Sequence, residues 1–193
     1  MFKDYKKLYT HIVSILEDNL PNYLTYHNAK HTLHTLEKTI HIAHKEGVGK
    51  NDIQLLKIAA LLHDSGYIKT NIEHEEESCK IAKSILADYN ISNSEIIVIC
   101  GMIRATKIPQ SPKTHLEMIL ADADLEYLAT TNFKPFGDKL FEELKHYNPK
   151  LTRKEWDNLQ IKFLENHSYH TSYCKRYKEF RKQKNLQLLI VNK

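Results

Sequence analysis

The chain has 193 residues, which is enough for one domain with a sizeable core. The chain contains 28 lysines and arginines and 24 aspartates and glutamates, which gives a net charge of +4. This small excess is compatible with a small anionic partner and does not indicate binding to a nucleic-acid polymer. No apolar run reaches the roughly 20 residues that cross a bilayer. Three widely spaced cysteines and the lack of an apolar N-terminal signal predict a soluble, cytoplasmic protein.

Apolar residues recur at helical spacing along most of the chain, and no alternation typical of a strand persists. Glycine and proline number only five each, which is low for a sheet-rich chain. The pattern predicts helices over about residues 8–19, 28–46, 51–62, 74–89, 92–106, 113–130, 152–166 and 171–188.

Local signals mark several of these boundaries. Pro135 and Gly137 flank a further predicted turn, after the helix over 113–130. Capping-box starts are predicted for three pairs, namely Asn51 with Gln54, Ser92 with Glu95 and Thr152 with Glu155. Because no repeat or linker interrupts the chain, we expect a single all-α domain over residues 1–193, built as a helical bundle.

Two histidines and several acids stand at the predicted helix ends. His31 lies in the first turns of the second helix, and the pair His63-Asp64 follows an apolar run. Asp122 and Asp124 belong to a later helix. Helix ends that converge in a bundle core can build a metal site, and mixed nitrogen and oxygen ligands suit Mn, Fe, Co, Ni, Zn or Mg. The pattern therefore predicts a divalent metal ion.

Structural roles explain part of the same pattern. A single histidine on an amphipathic helix is more often packed or exposed than bound to a metal. The segment Asp64-Ser65-Gly66 is also a reasonable helix end. Burial of Asp64 beside Leu62 would be costly without a cation or a hydrogen-bond donor, which favours the metal.

The ordered set of motifs resembles the HD superfamily of metal-dependent phosphohydrolases. The resemblance covers nearly the whole chain and is carried by the segments 26–32 (YHNAKHT), 59–67 (AALLHDSGY), 74–78 (HEEES) and 122–128 (DADLEYL). It implies an all-α helical core that holds one or two divalent metals. It also implies cleavage of phosphomonoesters or phosphodiesters, often those of nucleotides.

By resemblance, the metal ligands are His31, His63, Asp64 and Asp124. Asp122 is the alternative to Asp124, since two residues on a helix are separated by about 200° and cannot both face one ion. A second histidine pair found in family members with two metals is missing, which favours one metal ion per chain.

The resemblance also points to catalytic and substrate-binding groups. His74 opens a helix eleven residues after His63, where family members place a proton donor or a ligand of a second metal. His74 and Asp64 are therefore the predicted catalytic residues. Lys107 and Arg104 are predicted to bind phosphate, with ordinary surface charge as the alternative for both.

Together these patterns predict a metal-dependent phosphohydrolase that uses metal-activated water on a nucleotide or another small phosphate ester. Neither a membrane nor a nucleic-acid polymer is expected as a partner, and the protein is expected to be a monomer or a homodimer. One alternative is a non-catalytic module that binds metal and nucleotide. A di-iron oxygenase is a further alternative, which the missing histidine pair disfavours.

Overall fold

A computed structural model describes residues 4–191 of the chain. This part of the chain is all-α, as predicted, and contains no strand. Its ten α-helices are α1 (Tyr5–Asn19), α2 (Ala29–Lys45), α3 (Lys50–Leu62), α4 (His74–Ala87), α5 (Asn93–Ala105), α6 (His115–Asp124), α7 (Phe133–Tyr147), α8 (Arg153–Asn166), α9 (Ser172–Tyr177) and α10 (Glu179–Val191). Short 3-10 helices follow α3 and α6, at Ser65–Ile68 and Glu126–Ala129.

The helix caps show where local sequence signals were sufficient. The capping boxes at Ser92 and Thr152 are confirmed, and a third box at Thr114 was not predicted. The start at Asn51 is wrong, because α3 already begins at Lys50 and its N-cap is Gly49. A side chain inside the first turn cannot serve as the N-cap of the same helix.

The turn predicted at Pro135 and Gly137 is also wrong, because both residues lie inside α7. Proline fits the first turn of a helix, where its missing N–H would have no intrahelical partner. Gly137 packs against α8, and a Cβ atom at this position would lie 2.6 Å from Nε2 of Gln160. Here the glycine leaves room for the Gln160 side chain and does not break the helix.

The predicted helices over 113–130 and 171–188 are each divided. The first becomes α6 and the 3-10 helix Glu126–Ala129, and the second becomes α9 and α10. Helical spacing of apolar residues continues across such breaks, so periodicity alone cannot locate them.

The main core surrounds α3, whose residues from Ile58 to Leu62 are all fully buried. Helix α3 packs against α1, α2, α4, α5 and α6. A smaller apolar cluster joins the end of α6 to the last helices and includes Leu128, Phe133, Leu164 and Leu186. The candidate site described below lies at the carboxyl end of α3, between these two clusters.

Between residues 4 and 191, no helix combines the length and the hydropathy needed to cross a bilayer. The prediction of a single domain over residues 1–193 stays a prediction, as does the cytoplasmic location.

Candidate metal centre

His31 is positioned by the start of α2. The side chain of Asn28 accepts hydrogen bonds from the backbone N–H groups of Lys30 and His31, at 3.0 and 3.3 Å. This N-cap satisfies two donors of the first helical turn. It thereby fixes His31 with its imidazole turned into the protein, where the residue is buried.

His63 is held by the last turn of α3. Its Nδ1 lies 2.8 Å from the carbonyl oxygen of Ala60, so Nδ1 donates to that carbonyl and Nε2 faces the interior of the site. The Ser78 hydroxyl donates to the carbonyl of His63 at 2.7 Å and accepts from the backbone N–H of Gly66 at 2.7 Å. These two hydrogen bonds join α4 to the end of α3, next to His63.

Four side chains converge at this point, and they are the predicted ligands. Nε2 of His31 lies 3.2 Å from Oδ2 of Asp64 and 3.1 Å from Oδ1 of Asp124. Nε2 of His63 lies 3.1 and 3.4 Å from the same two oxygens. The two Nε2 atoms are 3.3 Å apart. Segments up to 93 residues apart in the chain thus meet at one small cluster.

The electrostatics of the cluster favour a cation. Burial would lower the pKa of His31 and His63, but the neighbouring carboxylates outweigh it and raise the pKa of both imidazoles. Burial would also raise the pKa of Asp64 and Asp124, yet contacts with the two imidazoles hold both below the ordinary range. The carboxylates therefore remain charged inside the protein.

The donor set fits a divalent metal ion. Oδ2 of Asp64 is buried, and its near neighbours are the Nε2 atoms of His31 and His63, which are not aligned with it as hydrogen-bond donors. A charged oxygen of this kind is costly to bury unless a cation lies beside it. Ligand atoms at about 2.0–2.2 Å from one ion are separated by about 3 Å, which matches the 3.1–3.4 Å between the two Nε2 atoms and from each of them to the carboxylate oxygens. The tightest group of potential ligand atoms is that of His31, His63 and Asp124.

Asp122 lies outside this cluster, which corrects its place among the candidate ligands. Its two oxygens accept hydrogen bonds from the backbone N–H groups of His170 and Thr171, both at 2.8 Å, and from the hydroxyl of Thr171 at 2.7 Å. The residue is fully buried, and it fixes the segment that leads into α9. The structure therefore favours Asp124 and gives Asp122 a structural role.

His74 lies beside the cluster, as the sequence predicted. Its Nε2 is 3.4 Å from Oδ1 of Asp64. Its ring stacks on Tyr67 at 4.1 Å, and Tyr67 stacks on His27 at 4.3 Å. The three rings form a short column that orients His74 next to the candidate ligands.

His27 is a further residue of the site, at the end of this column of rings. Its Nδ1 pairs with the buried carboxylate of Glu143, which also accepts from the backbone N–H groups of Tyr26 and His27 at 2.8 and 3.0 Å. Glu143 comes from α7 and carries no motif. Nothing in the sequence near His27 could have identified a partner 116 residues away.

The two predicted phosphate-binding cations differ in position. Lys107 lines the cavity beside the cluster, and its Nζ lies 2.6 Å from Oε1 of Glu73. Arg104 is not part of that lining, and its guanidinium is paired with Glu76 at 2.9 Å. The structure thus brings Lys107 to the candidate site and leaves Arg104 at the exposed surface.

The cluster opens into a cavity of about 550 Å³. Asp64, Asp124 and His74 line it, together with residues of α7 and α8. Ligand sites in proteins commonly have volumes of about 300–1,000 Å³, so this space is large enough for a small organic molecule.

The comparison with known families decides the identity of this core. Residues 28–126 match the model of the HD domain, which covers about half of the chain. The chain belongs to the HD domain family. The matched segment of this HD domain protein contains all four candidate ligands and His74, but it stops before α7 and α8.

A solved structure supports the fold over most of the HD domain protein. It is the crystal structure of a predicted HD superfamily hydrolase from an uncultured Thermotogales bacterium. The two chains are 19% identical and superpose with a TM-score of 0.64, covering 94% of this chain and 89% of the other. At this identity the likeness shows the fold alone. No curated protein matches the sequence.

Proposed function

We propose that this protein is a metal-dependent phosphohydrolase that cleaves a small phosphate ester. The observation that carries the proposal is the convergence of two buried imidazoles and two carboxylates beside a cavity of ligand size; these side chains are His31, His63, Asp64 and Asp124. Membership of the HD domain family supports the same conclusion.

In this proposal the four side chains hold one divalent ion. When bound, the ion supplies a Lewis acid that polarises a phosphoryl oxygen and lowers the pKa of a water molecule. His63 contributes Nε2 because the carbonyl of Ala60 occupies its Nδ1. Asp64 Oδ1 faces His74, so one carboxylate contacts both the ion and the proposed proton donor.

His74 donates a proton to the leaving oxygen of the ester. Its position in the cavity wall, beside Asp64 and against the ring of Tyr67, supports this role. A general acid must lie within reach of the atom that it protonates, and the ring column keeps His74 in place. Lys107 is the lining cation that can meet a phosphate oxygen, once it exchanges its exposed pairing with Glu73.

Substitution of Asp64 tests this function. Wild-type protein should contain about one divalent ion per chain by elemental analysis, and it should release phosphate from members of a phosphate-ester panel. Asp64→Asn should lose both the ion and the activity. Asp88→Asn is the matched control, because Asp88 is exposed at the end of α4 and does not line the cavity.

The outcomes separate this proposal from its alternatives. Full activity in Asp64→Asn would contradict it. A nucleotide that binds tightly in excess Mn²⁺ without cleavage would instead favour a regulatory module. Two irons per chain would favour oxygenase chemistry.

A further inference from the structure

Two chemically different sets of residues line the cavity beside the candidate metal centre. One set is polar and includes Asp64, Asp124, His74 and Lys107. The other comes from α7 and α8 and is dominated by apolar side chains, among them Phe133, Leu140, Leu144, Trp156, Leu159 and Phe163. A molecule that fills this space would therefore contact carboxylates and imidazoles in one part and an apolar wall in another.

The charges of the lining disfavour a highly charged ligand. Lys107 is the one lysine or arginine among the described residues that line the cavity, and Glu73 already pairs with it. The lining also contains Glu75, Asp64 and Asp124. One divalent ion would not outweigh these carboxylates, so the negative charges of a triphosphate would find few partners. A single phosphate group matches the site better.

The apolar wall offers few partners for hydroxyl groups. Of the eight lining residues from α7 and α8, Gln160 alone has a fully polar side chain, and its amide packs against Gly137. Trp156 is 6% exposed, and no described group accepts from its Nε1.

The wall comes from helices that lie outside the segment matched by the HD domain model. The match to the HD domain ends at residue 126, whereas α7 begins at Phe133 and α8 ends at Asn166. The metal centre and the wall thus come from different parts of the chain. Substrate selection can therefore depend on residues that the family match does not include.

We infer that the cavity selects an ester of a single phosphate group whose organic part is apolar, and that α7 and α8 impose this selection. The inference rests on the proposed phosphohydrolase function, because the phosphate is placed at the metal centre. It disfavours nucleoside triphosphates and sugar phosphates as substrates. Burial of each methylene group in such a wall should strengthen binding about fourfold, which corresponds to ~0.8 kcal/mol.

A series of alkylphosphonates tests the inference without any turnover, since their carbon–phosphorus bond is not hydrolysed. Methyl-, butyl-, hexyl- and octylphosphonate carry the same charged group and differ only in apolar length. Their affinities for the full-length protein in Mg²⁺ can be measured by calorimetry. The fluorescence of Trp156 gives a second readout, because it is the single tryptophan of the chain and lines the cavity.

We expect affinity to rise by about fourfold per methylene and to level off once the chain fills the cavity. Hexylphosphonate should bind at least tenfold tighter than ribose 5-phosphate or ATP and should change the emission of Trp156. Equal affinities across the series, or tighter binding of ribose 5-phosphate or ATP, would overturn the inference.

Variants locate the effect in the wall. Leu140→Asn and Leu159→Asn should weaken hexylphosphonate at least tenfold and leave methylphosphonate within twofold. Leu159 is half exposed, so this variant should fold even if Leu140→Asn does not. Leu188→Asn on α10 is the matched control, because Leu188 is similarly exposed and lies outside the cavity lining. Loss of hexylphosphonate affinity in Leu188→Asn alone would contradict the assignment of the wall.

Hydrolysis assays with hexyl phosphate and ribose 5-phosphate distinguish the two proposals. If phosphonate affinity depends on chain length but neither ester is cleaved, the selective wall stands and the phosphohydrolase function fails. If ribose 5-phosphate is cleaved with the higher kcat/KM and the phosphonate series is flat, the function stands and the selective wall fails.

Discussion

Substitution of Asp122 separates a structural aspartate from a metal ligand two residues away. Asp122→Ala removes three hydrogen bonds, from the backbone N–H groups of His170 and Thr171 and from the Thr171 hydroxyl. At about 1–1.5 kcal/mol each, their loss should lower the free energy of unfolding by about 3–4.5 kcal/mol. For a chain of this size, the melting temperature should fall by about 6–18 °C.

The assay pairs thermal unfolding, followed by circular dichroism, with elemental analysis of the purified protein. Asp122→Asn retains one acceptor oxygen, so it should lose less stability than Asp122→Ala and should keep the metal. Asp124→Asn is the matched comparison, because it should lose the metal with a smaller fall in melting temperature. The reasoning is refuted if Asp122→Ala melts within 2 °C of wild type, or if Asp122→Asn loses the ion while Asp124→Asn retains it.

The remaining predictions concern two glycines, a half-buried histidine and a helix cap. Gly66→Ala should destabilise the fold by more than about 3 kcal/mol in thermal melts, because its Cβ would lie 1.9 Å from the backbone oxygen of His74. Gly49→Ala meets nothing within 4 Å and should cost only about 1 kcal/mol, which is the preference for glycine over alanine at an N-cap. Burial, with the nearby charge of a lysine, lowers the pKa of His167 from 6.5 to about 4, so the unfolded chain binds the extra proton as the pH falls below about 6.5. The free energy of unfolding should then drop by up to about 3 kcal/mol between pH 6.5 and pH 4. In urea unfolding measured over the same pH range, His167→Gln should not show this part of the decrease. Asn28→Ala should lower the stability of the fold by about 1 kcal/mol and weaken metal binding. Amide exchange in α2 and metal titration measure the two effects. Wild-type values in both would exclude a positioning role for the cap.

Local signals in the sequence were sufficient for the parts of the site that lie at helix ends. Asn28 is a strong N-cap residue, so the beginning of α2 and the location of His31 in its first turns followed from the sequence. The apolar run before His63 indicated a central buried helix, which is what α3 is. Its polar end therefore had to lie near the core, where charged groups need partners.

Other features depend on contacts between distant segments, and the sequence could not supply them. The pairing of His27 with Glu143 joins residues 116 positions apart, and no local pattern marks either as a partner of the other. The choice between Asp122 and Asp124 depended on which side of α6 faces α2 and which faces the segment before α9. Helix periodicity places the two residues on opposite sides but does not say which side faces which neighbour.

The separation of the ligands along the chain has a thermodynamic consequence. His31 and Asp124 are 93 residues apart, so an ion that contacts both can bind fully only to the folded protein. Linkage then adds the free energy of ion binding to stability, by about 2.7 kcal/mol at a concentration 100-fold above the dissociation constant. Removal of the ion by a chelator should lower the melting temperature by about 5–11 °C. Melting curves recorded with different divalent ions would therefore rank the preferred metal before any substrate is known.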